Sequence, residues 1–249
     1  MLTEREESEV RDWIRRDIES GENLIGKGSQ GNVHLHREGN RNYVIKVASG
    51  RGIGKLVRWL MLRNEYRAYR RLAKVEGVPV CYGFLDERYL VLEYIDARSL
   101  QEAKPTDPDS FFDKLFGLIE TLHGAGVAHG DLKNKKNVLV GRRQNPIIID
   151  FGIAVSRKKN GSAINSRLFE AFRQADYNSW VKLKHRISKY VSDHDRRYFK
   201  LTPLERFWQL VKRSRKKLRT RRRNRAGERA KTRGTGETQG VSRVEGPRP

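Results

Sequence analysis

Residues 129–152 read H-G-D-L-K-N-K-K-N-V-L-V-G-R-R-Q-N-P-I-I-I-D-F-G, and no other stretch narrows the fold as much. Two short apolar runs, residues 138–140 and 147–149, flank the turn-rich residues 141–146, a pattern that predicts a β-hairpin. Asp131 and Asn137 precede the first run and Asp150 follows the second, so pairing the runs brings three oxygen-bearing side chains to one end. That donor set suits a hard divalent cation such as Mg²⁺, which keeps several waters, takes few protein ligands and accepts a phosphate oxygen. A lone Asp in such a turn is ordinarily a cap or turn former. It is the combination that points to a metal and a phosphate.

Upstream, residues 26–33 read G-K-G-S-Q-G-N-V, a complete G-x-G-x-x-G-x-V. Dinucleotide-binding domains use such glycines to open a helix. Here residues 33–36 and 43–47 read as strands around a turn at 37–40, which predicts a hairpin whose backbone amides approach nucleotide phosphates. Lys46 lies in the middle of the second strand, where it either snorkels from an edge or needs a buried carboxylate partner. A helix is predicted over residues 55–74, with Leu62, Glu65, Tyr66, Tyr69, Leu72 and Ala73 on one face. Glu65 is thus a carboxylate inside an apolar stripe, and Lys46 is the cation it would meet. The opposite face carries Arg58, Arg63, Arg67, Arg70, Arg71 and Lys74, a solvated surface or else a binding face.

In their order and spacing these motifs resemble the protein-kinase-like superfamily: a Gly-rich loop, a strand lysine, a helix glutamate, an H-R-D-x-K-x-x-N loop and D-F-G. The resemblance covers about residues 22–155. It is closest to small bacterial kinases of the serine/threonine protein kinase-like, RIO-like and lipopolysaccharide-kinase-like kinds, with their short C-terminal lobe, H-G-D loop and missing A-P-E. It implies an α+β, bilobal fold with a β-rich N-lobe and a shortened helical C-lobe, and an ATP- and Mg²⁺-dependent transfer of a phosphoryl group to a hydroxyl.

By that resemblance, Gly26, Gly28, Gly31 and Val33 cover the nucleotide, Lys46 contacts its α- and β-phosphates, and Glu65 positions Lys46. The backbone of Glu93 and Ile95 hydrogen-bonds adenine, beside Leu92. Asp131 corresponds to the catalytic Asp that orients and deprotonates the acceptor hydroxyl, Lys133 to the γ-phosphate contact, and Asn137 and Asp150 to the Mg²⁺ ligands. Two departures stand out. Gly130 occupies the place of an Arg found in many regulated kinases, and one additional residue separates Asp131 from its Asn. The 13 positions from Asn137 to Asp150 match the hairpin of the superfamily, so Asn137 rather than Asn134 is the expected ligand.

Elsewhere, residues 4–19 predict a helix with Val10, Trp13, Ile14 and Ile18 on one face, stopped by Ser20-Gly21 and packed outside the first lobe. Short strands are expected at 77–80 and 82–85, and a buried strand over 89–95. Residues 104–110 read as a linker and helix start. The helix that follows carries Phe111, Phe112, Leu115, Phe116, Leu118, Ile119 and Leu122 and supports the catalytic loop, with His123 capping its end and His129 holding the loop. Helices over 164–174, 176–188 and 203–217 place Leu168, Phe169, Phe172, Trp180, Leu183, Phe207, Trp208 and Leu210 in the core of the short second lobe. The expected division is an N-terminal helix (1–21), an N-lobe (22–96), a minimal C-lobe (97–210) and a basic tail (211–249).

The 249 residues carry a formal net charge of +23, and residues 211–233 alone hold 13 Lys or Arg against one acid, Glu228. Such a run is a solvated extension or a means of holding an anionic membrane surface or nucleic acid, although it has no aromatic residue for base stacking. There is no basic-then-apolar leader and no apolar run long enough to span a bilayer. A single cysteine, Cys81, excludes an internal disulfide. A monomeric, cytoplasmic protein is expected, peripheral on the inner membrane face if the tail binds there. The acceptor is a protein Ser/Thr or, by the absent A-P-E and basic surface, a sugar hydroxyl of a lipopolysaccharide core. A pseudokinase scaffold is the alternative of another class; its mark is a lost catalytic position, and none is lost.

Overall fold

Period-two alternation along the first strands sets the architecture. In the computed structural model, α1 (Glu4–Trp13) opens with a capping box between Thr3 and Glu6 and continues as a π-helical turn over Ile14–Ile18. There follow β1 (Leu24–Gly28), β2 (Gly31–Glu38), β3 (Arg41–Val47), α2 (Gly52–Arg71), β4 (Cys81–Leu85) and β5 (Tyr89–Glu93). The strands form one antiparallel sheet of order β1-β2-β3-β5-β4. Tyr43, Ile45 and Val47 on β3, with Tyr89 and Val91 on β5, turn one face of this sheet to Val10, Trp13 and Ile14 of α1. The alternate residues Val44, Leu90 and Leu92 face the other way, into the cluster that holds α2. Lys46 has the same parity as Val44, so the strand delivers its ammonium to the α2 side.

The description covers residues 3–18, 24–28, 31–38, 41–188 and 192–200. They belong to a unit spanning Met1–Lys200, while a second unit, Leu201–Pro249, lies outside it. The expected helix over 203–217 with Phe207, Trp208 and Leu210, the basic tail, and the Ser20-Gly21 stop therefore lie outside the described residues.

After β5 the chain passes through β6 (Arg98–Ser99) to α3 (Pro108–Gly124), where Asp107 caps the helix by accepting from the Ser110 amide at 3.1 Å and proline takes the first turn. Phe111, Phe112, Leu115, Ile119 and Leu122 are completely or almost completely buried, each contributing roughly 1.5–3 kcal/mol of transfer free energy. Next come β7 (Val127–Ala128), the catalytic-loop segment, β8 (Val138–Val140), β9 (Pro146–Ile148) and β10 (Val155–Ser156). β6, β8 and β9 form a three-stranded sheet and β7 pairs with β10. The 26-residue α4 (Ala163–Ser188) and a short α5 (Asp193–Arg196) complete the described chain. This is the expected bilobal α+β arrangement, a β-rich first part and a helical second part.

Local expectations differ in four places. Residues 77–80 are not a strand; the Gly77 carbonyl instead accepts from the Ile148 amide at 2.8 Å, tying this loop to β9. The buried strand stops at Glu93 rather than 95. Ala73 is exposed, because α2 ends at Arg71 with Leu72 as its cap, and Ala68 takes the inward place. The two helices expected at 164–174 and 176–188 are one, and Leu168 on it is 46% exposed rather than core.

α4 and α5 are joined by a half-hidden ion pair. Lys184 Nζ lies 2.9 Å from Asp195 and 3.1 Å from Asp113 on α3. Burial works against the Lys184 charge, but Asp195 and Asp113 outweigh it and raise the ammonium above its ordinary value; Lys184 and Ser192 overcome burial to hold the Asp195 carboxyl below its own. The depressed acid contributes stability above its unfolded value near pH 4, lost as pH falls through the folded value. The raised lysine contributes below its unfolded value near pH 10.5, lost as pH rises beyond its folded one. Lys184→Met should therefore lower stability to urea by roughly 3–5 kcal/mol at neutral pH, with Asp195 left unpaired. Lys184→Met/Asp195→Leu should recover most of it. Equal urea midpoints for wild type and the single variant would refute the role of the pair.

Candidate active site

The candidate side chains come from inward-facing positions of β3 and α2 and from the loops that flank β8 and β9. The hairpin expected over 33–36 and 43–47 is β2 paired with β3, not a helix start, and β1 adds a strand that the sequence reading did not place, with Gly28 opposite Gly31. A Cβ on Gly31 would lie 2.1 Å from the Val47 carbonyl and 2.8 Å from the Ser49 amide, so only glycine permits this close backbone approach. A Cβ on Gly26 would meet nothing within 4 Å, leaving open space above the strand. Val33 on β2 is paired directly with Lys46 on β3.

Lys46 Nζ reaches Glu65 Oε1 at 2.7 Å. Glu65 is completely buried, its second oxygen has no hydrogen-bond partner, and the Phe151 backbone favours the ionised carboxylate. Burial opposes both charges. On Lys46 it is outweighed by Glu65 and Asp150, which hold the ammonium above its ordinary value; on Glu65 burial pushes the carboxyl up against the pull of Lys46. The 2.7 Å contact and the two acids around Lys46 make the charged lysine the firm part of this pair. α2 also holds the D-F-G turn directly. Asn64 Nδ2 donates to the carbonyls of Gly152 (3.1 Å) and Ala154 (2.8 Å), and the Asp150 amide donates to the Tyr69 hydroxyl at 3.4 Å.

Asp150 adopts φ +68°, a left-handed conformation uncommon for a residue with a side chain and sustained by its surroundings. Phe151 is fully buried between Tyr69 (ring centroids 5.1 Å apart) and His129 (4.9 Å). His129 accepts from the Asp131 amide through Nδ1 at 3.2 Å, so Nε2 carries the proton and donates to the Ile149 carbonyl at 3.0 Å. One imidazole thus couples the loop of Asp131 to the strand that presents Asp150.

Asn137 is buried and its Nδ2 donates to the Asp131 carbonyl (3.1 Å) and carboxylate (3.2 Å), while its own carbonyl accepts from the Ile149 amide at 3.0 Å. Asn134 is exposed and caps the following 3₁₀ turn by accepting from the Lys136 amide. Lys133 is exposed beside Asp131. The structure therefore brings Lys46, Glu65, Asp131, Asn137 and Asp150 into one connected set. A carboxylate and a side-chain amide, both hard oxygen donors, fit Mg²⁺ that takes its remaining ligands from water and phosphate. No cluster of three or more His, Cys, Asp or Glu suited to a metal occurs among the described residues.

Glu93 is the last residue of β5 and Ile95 lies in the connection from β5 to β6. The Glu93 amide donates to the Val80 carbonyl at 2.8 Å and the Ile95 carbonyl accepts from the Ala97 amide at 3.0 Å. A cavity of about 1130 Å³ is lined by Glu93 and Ile95 themselves, with Tyr82, Tyr94, Lys114 and Arg142. It includes none of Lys46, Asp131 or Asp150. Burial pushes the Cys81 thiol up to about 12, which excludes it as a nucleophile at neutral pH.

Asp176 escaped the sequence reading. It is wholly buried in the middle of α4 and accepts from the amides of His129 (2.7 Å) and Gly130 (2.7 Å) and from His123 Nε2 (3.0 Å). The His123 side chain thus serves Asp176 rather than capping α3. One turn before, Phe172 covers Gly130, which has φ +80° and whose added Cβ would fall 2.3 Å from the Phe172 ring. The signal for Asp176 was present: an acid four residues before Trp180 and four after Phe172, on the apolar stripe, as Glu65 is on α2.

The profile of the protein kinase domain matches residues 20–175. Curated relatives include CBL-interacting protein kinase 15 of Oryza sativa subsp. japonica, 29% identical over 152 residues that cover 55% of this chain and 35% of the relative. Another is Aurora kinase A-A of Xenopus laevis, 30% identical over 163 residues, 61% of this chain and 39% of that one. The alignments thus span well under half the length of these relatives. Among solved structures, the Rio2 kinase from Chaetomium thermophilum shares the fold, with a TM-score of 0.54 over 76% of this chain and 66% of that chain at 18% identity.

Replacing Asp176 tests whether this carboxylate sets the loop. Asp176→Asn turns an NH₂ group towards donors that need an acceptor, so stability to urea should fall by roughly 2–3 kcal/mol. His123→Ala keeps the two amide bonds and should fall less. Unchanged unfolding in Asp176→Asn would remove it from this role.

Proposed function

The chain belongs to the protein kinase domain family, and from that premise we propose that it is an ATP- and Mg²⁺-dependent phosphotransferase of the serine/threonine protein kinase type. The observation that carries the reading is the connected set of Lys46–Glu65 at 2.7 Å and Asp131–Asn137 at 3.2 Å, joined to Asp150 through His129 and Phe151.

In this reading Lys46 holds the α- and β-phosphates, and Glu65 keeps its ammonium in place. Gly26, Gly28, Gly31 and Val33 form the lid over the nucleotide, where the open space at Gly26 admits a phosphate. The backbone of Glu93 and Ile95 meets the adenine. Asp150 and the side-chain oxygen of Asn137, which accepts from Asn134 Nδ2 at 3.4 Å, would hold the metal, the Asn137 amide nitrogen being engaged with Asp131. Bound Mg²⁺ would neutralise phosphate charge as it develops in the transition state. Asp131 accepts the proton of the acceptor hydroxyl, and Lys133, exposed beside it, contacts the γ-phosphate.

A protein Ser/Thr is the proposed acceptor, in keeping with the relatives. A sugar hydroxyl of a lipopolysaccharide core is a second reading. It is favoured by the shortness of residues 153–162 between the D-F-G turn and α4, which leaves little chain for a peptide platform.

Two measurements test the assignment. Asp131→Asn should keep nucleotide binding but lower turnover by roughly 10²-fold or more, whereas Asp150→Asn should also weaken Mg²⁺-dependent ATP binding. Radiolabelled γ-phosphate transfer to protein, to the chain itself and to purified lipopolysaccharide identifies the acceptor, and full activity of Asp131→Asn would sink the mechanism. In a Mg²⁺ titration of activity, Asn137→Ala should raise the requirement far more than Asn134→Ala. The reverse order would mean the loop is assigned one register wrong.

A further inference from the structure

α2 has an apolar face that the fold does not use. Its inner side is complete, with Leu62, Glu65, Ala68 and Tyr69 buried against the sheet and the D-F-G turn. On the outer side of its first two turns Ile53 is 81% exposed, Leu56 55%, Val57 49% and Leu60 51%. These positions follow the i, i+3, i+4, i+7 spacing of a continuous helical stripe, turned away from the core. Isolated exposed aliphatics are ordinary; four in one stripe mark an interaction surface. Asn64 bonds to the carbonyls on both sides of Ile153, itself 44% exposed, so a further aliphatic sits beside the same helix.

Charge identifies the partner. α2 carries Lys55, Arg58, Arg63, Arg67, Arg70 and Arg71, and its one acid, Glu65, points inward to Lys46. Lys55, Arg67 and Arg70 are exposed. The partner must be anionic and must accept a row of aliphatic side chains from the outer side of a helix, of which Leu56 borders a cavity. An anionic bilayer meets both conditions, with a fluid apolar interior under a charged surface.

We propose that the outer face of α2 docks on an anionic phospholipid surface, Ile53, Leu56, Val57 and Leu60 entering the interface while Arg67 and Arg70 at its edge meet headgroups. The stripe residues are distinct from the proposed catalytic groups.

The full chain is the sample, so residues 211–249 contribute equally in every comparison. Co-sedimentation with phosphatidylcholine vesicles, with and without phosphatidylglycerol, is measured at low and high salt for wild type, Leu56→Ser/Leu60→Ser and Arg67→Glu/Arg70→Glu. Wild type should bind the anionic vesicles and release with salt. Each double variant should bind about tenfold more weakly, with an unchanged melting temperature and unchanged ATP turnover. Binding of both variants equal to wild type, or no binding by wild type, overturns the proposal. So does a concentration-dependent dimer in sedimentation velocity that Leu56→Ser/Leu60→Ser abolishes, which would assign the stripe to a second copy of the chain. Loss of ATP turnover in wild type would instead count against the catalytic reading and leave the vesicle result to stand by itself.

Discussion

A carboxylate without solvent exposure, in the middle of a 26-residue helix, is the constraint on which the second half of the molecule depends. Burying an ionised acid costs several kcal/mol unless its oxygens are met by donors. Asp176 receives the amides of His129 and Gly130 and the imidazole of His123, from the catalytic loop and the end of α3. α4 cannot slide by a residue along α3 without leaving that charge unpaired. The register is reinforced one turn to either side, where Phe172 fills the space over Gly130 and the Trp180 indole donates to the Phe112 carbonyl at 2.7 Å. Phe172, Asp176 and Trp180 are four residues apart, so one helical face does the whole work.

The same physics operates in the first half through Glu65, and the two halves are joined by rings. Tyr69, Phe151 and His129 form a contiguous aromatic series from α2 to the catalytic loop. Moving α2 outward would separate Glu65 from Lys46, strip Asn64 from two carbonyls of the D-F-G turn and withdraw Tyr69 from the Asp150 amide. The placement of α2 and the left-handed conformation of Asp150 are therefore not independent. A helix with so many inward obligations makes the idle aliphatic stripe on its outer side the more telling, since inward packing already accounts for its position.

The motif positions were legible because each combines a residue type with a strict spacing: Lys46 in an apolar strand, Glu65 in an apolar helical stripe, Asp131, Asn137 and Asp150 around a hairpin. Period-two and 3.6-residue patterns likewise located β2, β3, α2 and α3 to within a few residues. Asp176 was lost because Ala175-Asp176 looked like a helix start, and Asp is favoured at caps; only the tertiary donors of the catalytic loop make it tolerable inside α4. His123 followed it, since its partner was hidden. Ala73 and Leu168 were placed inward by pattern, but where a helix ends and which side meets another element depend on packing that one-dimensional periodicity does not contain. The outer stripe of α2 was read only for its arginines, because the aliphatics sit in its first two turns and the buried stripe dominates the rest.

Residues 153–162 complete the logic of the loop. Kinases switched by phosphorylation order a long segment after D-F-G by pairing the new phosphate with arginines, the one in H-R-D among them. Here Gly130 offers no side chain, and the volume an arginine stem would enter is occupied by Phe172. The segment is instead held by bonds already in place. The Arg157 amide donates to the Gly126 carbonyl at 2.8 Å, Asn165 bridges the Lys158 amide and the Ser156 carbonyl, and β10 pairs with β7. α4 then begins at Ala163 and carries Asp176 back under the catalytic loop. The backbone of this short segment is thus tied to its surroundings by its own hydrogen bonds, and the glycine at 130 leaves the room that Phe172 needs to pack α4 directly against the loop it supports.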